Sequence, residues 1–381
     1  MRKSTLVLAL AGAFLAATAL TPAFGQARTD VVVGLVLEPP NLDPTAGAAA
    51  AIDEVVYANI FEGLTRFDPN GAIIPALAES WDISADGLEY TFHLHDGVVF
   101  HDGTTFDAED VKFSLDRARA EDSVNAQKGL FAGIADVAVV DPTMVKVTLT
   151  APNGDFLFNM AWGDAVIVAP ESAANNATNP IGTGPFMFSN WVQGDNIEIV
   201  KNPNYWGTPA MLDKATFKYI GDPTAAMAAL QAGDVDAFPF FPAPELLESL
   251  KTDPRFVVEV GSTEGETVLG INNARIPDVK VREAIAHAID RQAIIDGAMF
   301  GYGTPIGTFM PPTNPNYVDL TAQSNYDPEK SKALLAEAGW DTNKVLTLKL
   351  PPVEGYARRG GEIIAQQLAA VGIKTESINV E

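Results

Sequence analysis

The chain has 381 residues, with 25 lysines and arginines against 49 aspartates and glutamates, four histidines and no cysteine, for a formal net charge of −24. A chain this acidic repels the phosphates of nucleic acid and of anionic lipid, so neither is an expected partner. The lack of Cys excludes a disulfide scaffold, a thiolate metal site, a Cys nucleophile and a lipid-modified Cys at a cleavage site.

Residues 1–25 read as a cleaved secretory signal peptide. Arg2 and Lys3 precede an uncharged apolar run over 6–20, and Ala23-Phe24-Gly25 places small residues at cleavage spacing. No later apolar stretch reaches about 18 residues, so no membrane span is expected. The remaining length suits about two or three domains.

Residues 30–37 (DVVVGLVL) form a β-branched run that predicts a buried strand, stopped by Glu38-Pro39-Pro40. The Ala-rich stretch 48–62 predicts a helix. Turn sequences at 68–71 and 84–87 then separate strands, among them 88–94, where Leu88, Tyr90, Phe92 and Leu94 share one face. Asp107 is placed to N-cap a helix with Asp110 at N3, and strands are expected at 135–140 and 144–149 around Asp141-Pro142. Residues 170–185, rich in Pro, Gly and Asn, mark a domain crossing.

Strands are expected next at 186–192, 196–201 and 214–220, a helix at 222–232 and a strand at 235–238, the alternation of an α/β lobe. Helices starting after Asp278, Asp290 and Asp327 follow, the last with Pro328 at its first position. A strand at 345–350, a helix at 358–371 and a strand at 373–380 close the chain. One strand–helix–strand unit is too little for a parallel sheet covered on both faces, so residues 272–381 read as the opening part of a domain.

Several residues invite a chemical reading. His93 and His95 lie two apart on one strand face, with His101-Asp102 close behind; this spacing suits Zn or Ni, and equally the polar face of a half-exposed strand. Ile181-Gly182-Thr183-Gly184-Pro185-Phe186 looks like a glycine loop but has no following Lys, and Pro185 removes a donor, which favours a tight crossing over a phosphate cradle. His287 falls in a helix with an apolar face and reads as a packing or surface residue. Phe238-Pro239-Phe240-Phe241-Pro242 follows a strand, where ligands sit in α/β lobes. Arg358 and Arg359 open a helix against its dipole, so a task away from the helix, such as holding a carboxylate, competes with an ion pair to Glu362.

Long ordered blocks then carry a family resemblance: EPPNLDPT from residue 38, ANIFEGLTRFDPNGAIIPALAESW through FHDGTTFDAEDVKFSLDRA over 58–118, IGTGPFMFSNWVQGDNIEIVKNPNYWG from 181, ALQAGDVDAF from 229, NNARIPDVKVREAIAHAIDRQAIIDGAMFGYGTP from 272 and YDPEKSKALLAEAGW from 326. From about residue 30 onward the sequence resembles the extracytoplasmic solute-binding proteins of ABC importers, in the peptide/nickel class. The resemblance implies an α/β fold of two closing lobes with an inserted α+β domain. Mapped here, residues 30–50 and 180–268 form the first lobe, 51–179 the insert and 269–381 a second lobe that is incomplete, since family members continue further. A fragment or truncated product is therefore implied.

It further implies a periplasmic, monomeric, unanchored receptor that binds peptides between its lobes and delivers them to permease subunits in the inner membrane, with no cofactor and no catalysis. Glu38, Phe240, Asn272 and Arg358 are the expected cleft lining. Arg358 matches the family's carboxylate-holding Arg; the Asp that holds the ligand amine falls beyond this sequence. Rival readings are a receptor for a nickel chelate, oligosaccharide or opine, a secreted metal-dependent hydrolase using His93, His95 and His101, and a nonfunctional remnant.

Overall fold

The computed structural model describes residues 28–263, 265–314 and 316–380; the expected signal peptide lies outside them. Strand β1 (Asp30–Leu35) is the β-branched run expected at the start, and helix α1 (Ala50–Val56) buries Ile52, Val55 and Val56. Short strands β2 (Thr65–Phe67) and β3 (Ile73–Pro75) pair as a hairpin around the 68–71 turn. Strands β4 (Ala78–Ile83) and β5 (Glu89–Leu94) follow, then helix α2 (Ala108–Arg119), strands β6 (Ile134–Asp141) and β7 (Met144–Leu149), and a single turn α3 (Phe156–Asn159). β4, β5, β7 and β6 form one antiparallel sheet in that order. Tyr90, Phe92, Val145 and Val147 point to the core that α2 covers with Val111, Leu115 and Ala118. α2 begins where it does because the Asp107 carboxylate accepts from Glu109 N–H while Asp110 accepts from Asp107 N–H, a reciprocal cap.

Strands β8 (Phe186–Val192), β9 (Asn196–Lys201) and β10 (Lys214–Tyr219) meander antiparallel, and β10 runs parallel to β1, giving the order β1-β10-β9-β8. Its core takes in Ile197, Ile199 and Phe217 together with Ile52, Val55, Val56, Ile60 and Phe61 and with Val166, Val168 and Ala173. α1 thus packs with this sheet, while residues 166–169 alternate between the two cores: Val166 and Val168 join this one, Ile167 and Ala169 that of the β4–β7 sheet.

Helix α4 (Pro223–Ala232) is capped by Asp222 and ends at left-handed Gly233. The strand expected at 235–238 is reduced to one parallel bridge, Ala237 to Val33, on the free side of β1. Helix α5 (Leu247–Lys251) follows a short 3₁₀ turn at Pro244–Leu246.

Helices α6 (Val279–Ala288), α7 (Arg291–Met299) and α8 (Pro328–Glu337) carry the Asp caps expected at 278, 290 and 327. Strand β11 (Val345–Leu350) crosses through α9 (Gly360–Ala370) to parallel β12 (Lys374–Asn379). Val281, Ile285, Leu335, Leu368 and Ile373 form a third core. Among the described residues no helix is long and apolar enough to cross a membrane.

Candidate functional site

The histidines are engaged one by one. His93 Nε2 lies 2.9 Å from Asp82, and His95 stacks on Trp206 at 4.4 Å between ring centroids. His101 is largely buried with both ring nitrogens in use: Gly182 N–H donates to Nδ1 (3.3 Å), so Nε2 carries the proton it gives to the Gly184 carbonyl (3.0 Å). Burial pushes the His101 ring below its ordinary pKa, consistent with this neutral form. Among the described residues no three His, Asp or Glu side chains are arranged to hold a metal ion. His287 is buried, with Nδ1 2.7 Å from the Asn325 carbonyl.

The glycine loop is a crossing. A Cβ on Gly182 or Gly184 would collide with the backbone carbonyls of Ile60 and Asn59. Beside it the buried Glu62 carboxylate accepts from Thr183 Oγ1, Tyr205 Oη and Trp206 Nε1, each at 2.8 Å. Burial raises the Glu62 pKa, and the three donors with nearby Arg66 pull it back. These groups tie distant chain segments together. A separate cleft of about 320 Å³ between α2 and residues 164–168 is lined by Arg117, Asn125 and Asp164, away from the expected lining residues.

Each of those four residues has its own surroundings. Glu38 accepts from Trp191 Nε1 (2.9 Å) and from Gly194 N–H (3.0 Å), so its carboxylate anchors the β8–β9 turn. Asn272 is exposed and caps its own turn, accepting from the backbone of Ala274 and Arg275. Phe240 is 63% exposed, while its neighbour Phe238 packs over Gly34 of β1 and meets Phe241 edge-on at 5.5 Å. Arg358 is exposed in a π-type turn, Glu354–Arg359, that precedes α9.

Its neighbour Arg359 turns inward. The guanidinium lies 5.1 Å from the centroid of the Phe300 ring, and Nη2 is 3.6 Å from Glu245 Oε2 on the 3₁₀ turn before α5. That separation is an ion pair but too long for a hydrogen bond. Nε and Nη2 are buried and have no hydrogen-bond partner. Phe300 ends α7 in the left-handed region at φ 53°, a conformation that costs a bulky side chain energy and that Gly or Asn usually takes. A second link joins the same two parts of the chain: Tyr302 Oη donates to Glu248 (2.9 Å), and Lys251 Nζ reaches both. A cation on an aromatic ring with unfilled in-plane donors is suited to a carboxylate. The paired arginines were visible in the sequence. The opposing Glu245 and the ring of Phe300 carry no local signal, since both come from distant segments.

Comparison with known proteins gives the family and the fold. Residues 72–381 match the family model described as bacterial extracellular solute-binding proteins, family 5 middle. The chain is 34% identical over 362 residues to the glutathione-binding protein GsiB of Pectobacterium atrosepticum, covering 92% of this chain and 69% of that protein. It is 32% identical over 426 residues to heme-binding protein A of Haemophilus influenzae, covering 100% and 77%. The ABC transporter-associated periplasmic binding protein DppA from Helicobacter pylori, solved with peptide STSA, superposes with a TM-score of 0.86 at 29% identity over 92% of this chain and 74% of that one. The chain belongs to family 5 of the bacterial extracellular solute-binding proteins, and its mixed α/β fold is that of the two-lobed periplasmic binding proteins.

Proposed function

We propose that this family 5 protein is the periplasmic binding subunit of an ABC importer, taking a peptide between two lobes and delivering it to the membrane permease. Residues 30–50 and 180–268 make the first lobe in this reading, 51–179 the insert and 269–381 the second lobe. The signal-like residues 1–25 support a periplasmic location, and the relatives, named as binding proteins, support a receptor without catalytic chemistry. The observation that carries the reading is Arg359: a guanidinium with buried, unfilled donors where residues 244–251 meet the segment around α7 and α9. A ligand shifts the lobes toward closure only if it touches both, and a carboxylate on Arg359 with the rest of the solute along Phe240 does so. Arg358 stands next to the anchor in sequence, and Glu38 acts through the β8–β9 turn it holds.

The test is calorimetric titration with a panel of di- to tetrapeptides and glutathione. At least one should bind. Arg359→Ala should then weaken it by about ten- to a hundredfold, the range of hydrogen bonds to a charged group, and Arg358→Ala should weaken it less. An unchanged dissociation constant in Arg359→Ala would remove the anchor assignment. No binding across the panel would remove peptides as the solute.

A further inference from the structure

We propose that Glu245 is a displaceable internal occupant of the Arg359 site: it holds the guanidinium in the empty protein and gives way to the carboxylate of an incoming solute. The inference rests on the reading of Arg359 as the solute anchor.

Three features of the contact support it. First, Glu245 Oε2 is near enough to Arg359 Nη2, at 3.6 Å, to offset the charge, yet it makes no hydrogen bond there. Buried guanidinium donors left unfilled are costly, so the pair sits in a shallow well. A free carboxylate is not tied to a 3₁₀ turn and can lie in the guanidinium plane, filling Nε and Nη2 together. It therefore gains two charge-assisted hydrogen bonds that Glu245 does not make.

Second, the pair is partly exposed, with side chains 22% (Arg359) and 30% (Glu245) accessible. The contacting Nη2 is itself buried, so displacement is cheap because no hydrogen bond is broken. Third, Glu245 and Arg359 belong to the two parts of the chain that Tyr302, Glu248 and Lys251 also join. The same carboxylate thus helps keep the two parts together when no solute is bound. The consequence for selectivity is direct. A solute with a free carboxylate displaces Glu245, whereas a solute ending in an amide offers no anion to replace it and leaves the ion pair unbroken.

The test has two arms on the full chain. In the first, amide hydrogen exchange is followed without solute. Glu245→Gln should speed exchange over 244–251 and 353–362, and Glu245→Gln combined with Arg359→Lys should add nothing further. Unchanged exchange in Glu245→Gln overturns the internal-occupant proposal and leaves the peptide reading intact. In the second arm, Ala-Ala-Ala and its C-terminal amide are titrated into both proteins. Glu245→Gln should bind the acid about three- to tenfold more tightly, the scale of a partly exposed ion pair, with the amide unmoved. Weaker binding of the acid, or an equal change for acid and amide, overturns the proposal. The expected exchange result with no tripeptide bound by either protein supports the Glu245–Arg359 contact and counts against the peptide reading.

Discussion

Asp53 on α1 and Asp164 are near enough for one charge to act on the other, and each has a buried Oδ1 with no hydrogen-bond partner. Burial, with Asp164 adding to it, pushes Asp53 up to about 6; burial pushes Asp164 up to about 6, against its own backbone N–H. For carboxyls with raised folded pKa values the folded chain holds the extra protons between about 4 and 6. Their contribution to stability is therefore present in full below the unfolded value and is lost as pH rises through about 6. Asp53→Asn removes one charge of the pair. It should raise the thermal midpoint at pH 7.5, change it little at pH 4.5, and so flatten the slope between them. Calorimetry at the two pH values checks this; a lower midpoint at pH 7.5 would mean that the Asp53 charge is needed for the fold. Asp110, raised to about 6 by burial and by Asp107, Glu171 and Glu109, leaves a residual slope in the variant. The same scale shows what the histidine rings touch. Spacing put His93 and His95 on one face correctly, but it could not show that Asp82, Trp206 and the Gly182–Gly184 backbone had already claimed their rings.

At the scale of elements, what was legible was local. The Asp caps of α2, α4, α6, α7 and α8 and the 141–143 turn are written within four residues, and each element begins where those residues place it. The strand expected at 235–238 shrank to one bridge because Pro239 and Pro242 soon end any ladder beside β1. The last helix is preceded by the π-type turn Glu354–Arg359, and Gly360 and Gly361 lie buried at its first α turn, where a Cβ on Gly361 would collide with Leu350 of β11. The candidate site was half legible: the Arg pair was in view, and its partners arrive only through the fold. The 181–186 crossing makes this testable. Gly184→Ala drives a Cβ into the carbonyls of Asn59 and Ile60, which are backbone and cannot swing away. It should cost at least about 2 kcal/mol, read as a fall in the urea midpoint. Gly129→Ala, which meets nothing within 4 Å, is the matched control and should stay near wild type. Equal midpoints for the two variants would mean that the crossing yields.

At the scale of the molecule, three cores unequal in cover decide how the chain comes apart. The β4–β7 sheet has four strands, α2 across one face, and aromatic contacts among Tyr90, Phe92 and Phe156 at its centre. The third core rests on two strands, each paired with one neighbour among the described residues, with half of the β11 side chains and all but one of the β12 side chains exposed. A two-strand pair contributes little by itself, so residues 279–380 depend on the packing of α6, α8 and α9. Unfolding should therefore occur in at least two steps, with α6, α8 and α9 losing amide protection at lower urea than β5 and β7. A solute held at Arg359 binds only when that less stable part is folded, so mass action shifts the first step and leaves the second in place. Hydrogen exchange across a urea series, with and without a bound peptide at about a hundred times its dissociation constant, should raise the local opening free energy of α9 by about 2.7 kcal/mol and leave β5 unchanged. Equal protection of both regions by the peptide would instead mean that the three cores unfold as one unit, with the contact between residues 244–251 and Arg359 binding them too tightly to open separately.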